Sequence, residues 1–266
     1  MVTFYGGDMS DIPKKPGWMK RYTKLFQEAE LICVEGEFMK AKMAELGCPR
    51  DKIVVSRLPI PIDNIEFSYR PSYNNTLNVL MCASMVKKKG YFDALTTIKM
   101  LKEDGISIRC DIIGNGKLQD RITEMIDNLG LNNEVKLLGR KKPQEIYHIS
   151  RKHHVFFHPS KFDSNGGSEG GAPTIISEMQ ALGVPIISTK HADIPGVIPV
   201  ENHFLAEEGN PAQLVTYFKK LISCQEEWND ISNRGSEFVR KNHYAPDIAS
   251  KMEELYNKVI VNYSNN

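Results

Sequence analysis

Apolar residues along this chain come in two spacings, and their alternation predicts the architecture. Short apolar runs recur at Val2–Tyr5, Leu31–Val34, Ile53–Ser56, Leu77–Cys82, Ile108–Ile113, Val135–Leu138, Val155–His158 and Val184–Ser188. Runs of this length, bounded by polar and glycine-containing stretches, predict strands. Between them lie stretches with helical spacing: Met19–Ala29, Glu37–Leu46, Gly90–Leu101, Lys117–Leu129, Pro143–Ser150, Pro173–Leu182, Pro211–Cys224 and Trp228–Lys241. In Gly90–Leu101 the residues Phe92, Leu95, Ile98 and Leu101 share one side, and Gly130 is placed to stop the helix before it. A last helix over Ala249–Val261 carries Met252, Leu255, Tyr256 and Val259 on one side.

Strands interleaved with helices predict a parallel sheet covered by helices, an α/β fold. The five runs from Leu77 onward make one complete Rossmann-like unit over about residues 76–245. The three earlier runs make only part of one, so further strands are expected upstream. Leu58–Ser72, with Pro59 and Pro61 among polar residues, reads as a linker. The expected division is a partial N-terminal Rossmann-like domain with its linker over 1–70, a complete C-terminal domain over 71–245, and a terminal helix over 246–266 returning to the first domain.

Charge and composition narrow the function. With 34 basic and 33 acidic residues the net charge is +1, which argues against a nucleic-acid binder. No apolar run approaches the roughly 20 residues that span a bilayer, and the first residues lack the pattern of a signal peptide. The cysteines Cys33, Cys48, Cys82, Cys110 and Cys224 are scattered and odd in number, as expected of buried thiols in a reducing compartment. A cytoplasmic protein is expected.

The stretch Asn165–Glu178 (NGGSEGGAPTIISE) carries the chemistry. Gly166, Gly167, Gly170 and Gly171 let backbone approach a ligand closely. Pro173 suits the first helical position, leaving the amides of Thr174 and Ile175 to face a phosphate at the positive end of the helix. Ile175, Met179 and Leu182 form an apolar stripe that omits Glu178. From there a carboxylate can accept both hydroxyls of a ribose, and Glu169 can accept sugar hydroxyls in the same way. Either glutamate alone is more simply a solvated side chain; together with the glycines and Pro173 they favour a ligand site. Gly114-Asn-Gly116 lacks the third glycine of a dinucleotide motif, where Gln119 stands, and does not follow the first strand of its unit, so nicotinamide binding is not expected. No Asp-x-Asp pair or spaced His/Cys/Asp cluster suggests a metal, and no cofactor is expected.

Glu169-Gly-Gly-Ala-Pro-Thr-Ile-Ile-Ser-Glu178, followed by Gly183-Val-Pro185, resembles the signature of the family 4 retaining glycosyltransferases of GT-B fold. Val86-Lys-Lys-Lys-Gly90, Ile113-Gly-Asn-Gly116, Leu138-Gly-Arg140, His158-Pro-Ser160, Leu46-Gly-Cys-Pro49 and Thr3-Phe-Tyr-Gly-Gly-Asp8 fall in the family's order, so the resemblance covers nearly the whole chain. It implies that residues 71–245 bind a nucleotide-diphosphate sugar and that a sugar passes with retention to an acceptor hydroxyl. By the same resemblance Lys89 neutralises the diphosphate, Glu178 holds the ribose, and Glu169 with the backbone of Gly170, Gly171 and Ala172 orients the sugar. Gly114, Arg140 and Lys141 then lie around the nucleotide.

Three departures stand out. The two glutamates are nine residues apart where the family has eight, so an extra residue is accommodated near Gly170-Gly171. Ser84 stands where the family has an arginine, and Tyr5 where many members have an active-site histidine; tyrosine is a poor base near neutral pH. The resemblance implies a glycan or lipid-linked acceptor, polysaccharide biosynthesis, and a peripheral position at the inner membrane face. The alternatives from the sequence are a donor-binding subunit whose acceptor half is a separate polypeptide, an inactive fragment, and a GT-B sugar-nucleotide epimerase or phosphorylase.

Overall fold

The computed structural model describes residues 1–10 and 12–264, with side chains through residue 261. Its strands are β1 (Val2–Thr3), β2 (Ile32–Val34), β3 (Ile53–Val55), β4 (Leu77–Cys82), β5 (Ile108–Ile113), β6 (Val135–Gly139), β7 (Val155–His158), β8 (Ile186–Thr189) and β9 (Phe204–Ala206). Its helices are α1 (Gly7–Ser10), α2 (Trp18–Glu28), α3 (Glu37–Glu45), α4 (Tyr91–Glu103), α5 (Gln119–Asn128), α6 (Pro143–Ser150), α7 (Thr174–Ala181), α8 (Pro211–Ser223), α9 (Trp228–His243) and α10 (Ala245–Ser264).

Two parallel sheets result. The small one has the order β1-β2-β3 and the large one β6-β5-β4-β7-β8-β9. Along β4 the side chains alternate: Leu77, Val79 and Met81 face α4, α5 and α8, while Leu80 faces α7 and α9. Strands β7 and β8 are buried on both faces, as interior parallel strands must be. The small sheet has its own core, in which Ile32, Val34 and Ile53 pack on Tyr22, Phe26, Met39 and Met43.

Four expectations need correction. The large sheet has six strands, not five: Phe204–Ala206 is too short a run to separate from the loop around it, and pairing with β8 makes it a strand. The run at Val184–Ser188 becomes Ile186–Thr189, because the Val184 amide is taken by the Met179 carbonyl at 2.8 Å in closing the preceding helix. Pro173 is the residue before α7, not its first turn. The linker segment itself is packed against the large sheet. Ile60, Ile62 and Ile65 are buried in the large sheet's second core, and the buried Arg70 guanidinium donates to the carbonyls of Ser68, Ser150, His153 and Leu182. Burial lowers that guanidinium to about 10. The last helix also starts earlier than expected, at Ala245, and no helix of the described residues is long and apolar enough to cross a membrane.

Candidate functional site

Chain order in the large sheet reverses between β4 and β7, with β5 and β6 on one side and β8 and β9 on the other. Loops leaving the carboxyl ends of strands at such a reversal part to leave a crevice, the usual ligand position in open α/β sheets. Most of the candidate residues lie along this rim.

After β4 the chain makes a tight turn through Lys87–Lys89 and enters α4 at Gly90. Gly90 has a φ of +67°, and a Cβ there would lie 1.8 Å from the Pro159 carbonyl oxygen beyond β7. Glycine is therefore required twice over, by backbone conformation and by space. The turn aims all three lysines at the 164–169 loop. Lys87 Nζ reaches Ser164 Oγ at 3.5 Å, Lys88 Nζ donates to the Ser168 carbonyl at 2.7 Å, and Lys89 Nζ lies 2.8 Å from Glu169 Oε2. Lys89 is 13% exposed and Glu169 is 6% exposed, so this is a buried ion pair, not a solvated face.

Glu169 is fully engaged. Its second oxygen accepts from Ser160 Oγ at 2.8 Å, and Lys88 Nζ stands 3.8 Å from the first. Burial by itself raises this carboxyl, but His158 and the Lys89 charge reverse the balance and hold it well below the usual carboxylate range. His158 Nε2 is 3.9 Å away and has no hydrogen-bond partner, so Lys89 is the effective counter-charge. Burial holds His158 itself neutral, pushing its pKa down.

Glu178, on the third turn-half of α7, lives in a different field. Burial raises its pKa against the hydrogen bonds of Tyr147 and Thr174. Tyr147 Oη donates to Glu178 Oε2 at 3.0 Å, and the nearby Cys82 thiol is pushed up to about 12 by burial and by the Glu178 charge. The buried face of α7 is wider than the expected stripe: Ile176, Ser177, Met179, Gln180 and Ala181 are buried and Ile175 only partly so. At the helix start the amides of Thr174 and Ile175 have no carbonyl one turn earlier to bond; the Ile176 amide closes on Pro173 at 3.0 Å.

The small sheet meets this rim directly. A Cβ on Gly170, at φ +84°, would fall 2.2 Å from Gly6 Cα, and one on Gly171 would fall 1.7 Å from Glu35 Oε2. Two successive glycines of the Glu169–Glu178 stretch thus touch the small-sheet side directly. Glu35 makes no hydrogen bond among the described residues; burial and the carboxylates of Asp193 and Asp8 push it up to about 7. Asp193 accepts the Phe38 and Met39 amides at 2.7 and 3.2 Å, capping α3 from the opposite sheet. Tyr5 lies beside this contact and is 51% exposed. Next to Gly170 a cavity of about 290 Å³ opens between the sheets, with an apolar wall of Met9, Phe38, Met39 and Phe162 and with Lys14 and Lys42 among its lining.

The remaining candidates sit farther along the rim. Gly114 follows β5, where a Cβ would lie 1.9 Å from the Ala83 carbonyl oxygen, and its amide donates to Gly139 at 2.9 Å. Arg140 and Lys141 follow β6, with Arg140 exposed, and Ser84 is an exposed residue after β4. Glu169 and Lys89 are the only two of the expected residues joined by an ion pair; Ser160, His158, Tyr147, Glu35 and Asp193 were not singled out for their roles. His158 and Ser160 could have been found from their place at and just beyond the carboxyl end of an otherwise apolar strand. The other three gave no signal, because each acts across a distance of at least 27 residues in sequence. A cavity of about 570 Å³, lined by Asn78, Arg109, Asp111 and His153 among others, lies at the opposite, amino-terminal ends of β4–β6 and takes no part. No group of three or more His, Cys, Asp or Glu among the described residues is arranged to hold a metal ion, and all five cysteines are free.

Comparison with known proteins agrees with the geometry. Residues 65–238 match the family described as Glycosyl transferases group 1. The chain is 30% identical over 222 residues to the amylovoran biosynthesis glycosyltransferase AmsK of Erwinia amylovora, covering 83% of this chain and 54% of that protein. It is 30% identical over 200 residues to the putative colanic acid biosynthesis glycosyltransferase WcaL of Escherichia coli K12, covering 74% and 48%. The chain thus spans about half the length of these relatives. Among solved structures, Anabaena Alr3699/HepE in complex with UDP-glucose shares the fold with a TM-score of 0.80 at 14% identity, over 97% of this chain and 72% of that one.

Proposed function

Because this chain belongs to the group 1 glycosyl transferases, we propose that its switch-point crevice is the donor site of a retaining glycosyltransferase of polysaccharide or glycoconjugate biosynthesis, with residues 71–245 as the donor domain. The observation that carries this reading is the buried Lys89–Glu169 pair at 2.8 Å, in the segment that runs on into the start of α7. A nucleotide-diphosphate sugar entering there would place its diphosphate between Lys89 and the Thr174 and Ile175 amides. Charge building on the departing diphosphate is met by groups already in place, which is where electrostatic catalysis is strongest. Glu178 has acceptor capacity beyond its bonds from Tyr147 and Thr174 and would take the ribose hydroxyls, while Gly114, Ser84, Arg140 and Lys141 would border the nucleotide. Glu169 and the Gly170–Ala172 backbone would orient the hexose, and the acceptor hydroxyl would attack from the side of Tyr5.

The cavity beside Gly170 suits the acceptor, a glycan or lipid-linked glycan, since it adjoins Glu169 and combines apolar walls with two lysines. Relatives named for amylovoran and colanic acid biosynthesis support a role in polysaccharide assembly, for which we place the chain peripherally at the inner membrane face. A second reading is a donor-binding chain whose acceptor half is a separate polypeptide. Calorimetric titration with UDP-, GDP- and dTDP-hexoses tests both. Saturable donor binding with transfer supports the first reading, donor binding with no transfer by the chain alone supports the second, and no binding by folded protein removes both.

A further inference from the structure

Beyond the donor contacts, one chain of hydrogen bonds, with a buried imidazole at its centre, ends on Glu169 without touching any expected ligand. His191, fully buried just after β8, accepts the Glu169 backbone amide at Nε2 over 3.0 Å. Its Nδ1 lies 2.7 Å from Glu208 Oε1, beyond β9, and the other Glu208 oxygen accepts the Phe162 amide at 2.8 Å. The Phe162 ring closes over the imidazole edge-on, with centroids 4.8 Å apart. Since Nε2 accepts, the ring proton must sit on Nδ1, where the Glu208 carboxylate holds it; a carboxylate that fixes a histidine's tautomer and orientation is a familiar device.

We propose that His191 and Glu208 are positioning residues that hold the Glu169 backbone, and so the hexose-facing carboxylate, in register with Lys89. The inference rests on the donor-site reading above and deepens it, since it separates the groups that bind diphosphate from those that aim the sugar. A glutamine at 208 shows the logic. Its oxygen is needed by the Phe162 amide, so its –NH₂ group faces Nδ1. The ring proton is then driven to Nε2, opposite the Glu169 N–H, and two donors confront each other. A glutamine at 191 instead offers a carbonyl oxygen near the Nε2 position that accepts the Glu169 amide without help from residue 208.

The test joins two measurements on the whole chain. Nitrogen-15 NMR of the histidine rings reads the tautomer of His191, assigned by its loss in His191→Gln. Calorimetry reads the ratio of dissociation constants for a nucleoside diphosphate and its hexose, using UDP with UDP-glucose first and the GDP and dTDP pairs after. The expected wild-type ring is protonated on Nδ1 and switches to Nε2 in Glu208→Gln. In that variant the ratio moves about tenfold against the hexose while diphosphate affinity stays within about twofold, and in the His191→Gln background Glu208→Gln moves the ratio by less than about twofold. A wild-type ring protonated on Nε2, equal losses of diphosphate and hexose, or an undiminished effect in the His191→Gln background overturns the proposal. If folded wild-type protein binds no donor, the functional reading fails separately. The ring nitrogens then decide alone: a tautomer switch on Glu208→Gln upholds the relay and its absence overturns it.

Discussion

Glu169 and Glu178 belong to one ten-residue stretch, yet the fold sets them in opposite electrostatic regimes. Glu169 sits in a loop against a lysine, with both oxygens occupied before any ligand arrives. Glu178 sits on a helix among neutral donors, its pKa raised by burial that no cation offsets. The comparison teaches that burial does not decide whether a carboxylate is ionised; the nearest counter-charge does. One carboxylate is held by a counter-charge and the other by neutral donors.

The sharpest way to break the comparison is to remove the counter-charge. Lys89→Ala leaves Glu169 beside Ser160, the neutral His158 and a more distant Lys88, and should lower unfolding stability by about 3 kcal/mol or more in urea titrations. Lys89→Met with Glu169→Leu should recover most of that loss, because the stranded charge is gone. A single-variant loss under about 1 kcal/mol would show the pair to be screened by solvent.

Glu35 tests the contact between the sheets. Its folded pKa of about 7 lies above the unfolded value of about 4.3. A raised carboxyl contributes stability below the unfolded value and loses it as pH rises through the folded one. Glu35→Gln should therefore raise unfolding stability at pH 8 and not at pH 4, by about 1–2 kcal/mol once its partial exposure is discounted. Equal effects at both pH values would remove the carboxylate cluster as the cause.

Glu178→Ala should weaken nucleotide-diphosphate sugar binding about tenfold, near 1.4 kcal/mol, with little change in folding stability. The two glutamates should also tilt acid stability in opposite senses. The lowered Glu169 contributes stability above the unfolded carboxylate range and loses it as pH falls, whereas the raised Glu178 contributes at low pH and loses it as pH rises. Glu169→Gln and Glu178→Gln melts between pH 3 and 8 read these slopes, and slopes of the same sign would collapse the distinction. Smallest of all, Tyr147→Phe removes one hydrogen bond and should reduce donor affinity by about 0.5–1 kcal/mol, read by the same calorimetry.

Much of the site was legible because local rules govern it. Glycines before a proline and a helix announce exposed amides, and Lys89 before Gly90 marks a turn that only glycine can make. Strands and helices were legible wherever an apolar run was long enough to show its period. Phe204–Ala206 was too short, and the isoleucines of the linker were hidden among prolines and polar residues whose local signal is that of a loop.

By itself, then, the chain's pattern determined a parallel α/β architecture and the segment in which two carboxylates and a helix start would meet a ligand, since period, turn chemistry and helix ends are properties of neighbours in sequence. Only the tertiary structure decided that Lys89 neutralises Glu169, that Asp193 caps a helix of the other sheet, and that His191 and Glu208 stand behind the loop. Those pairings join residues up to 155 positions apart. Their energies depend on burial and distance, which strand order sets and which no local spacing encodes.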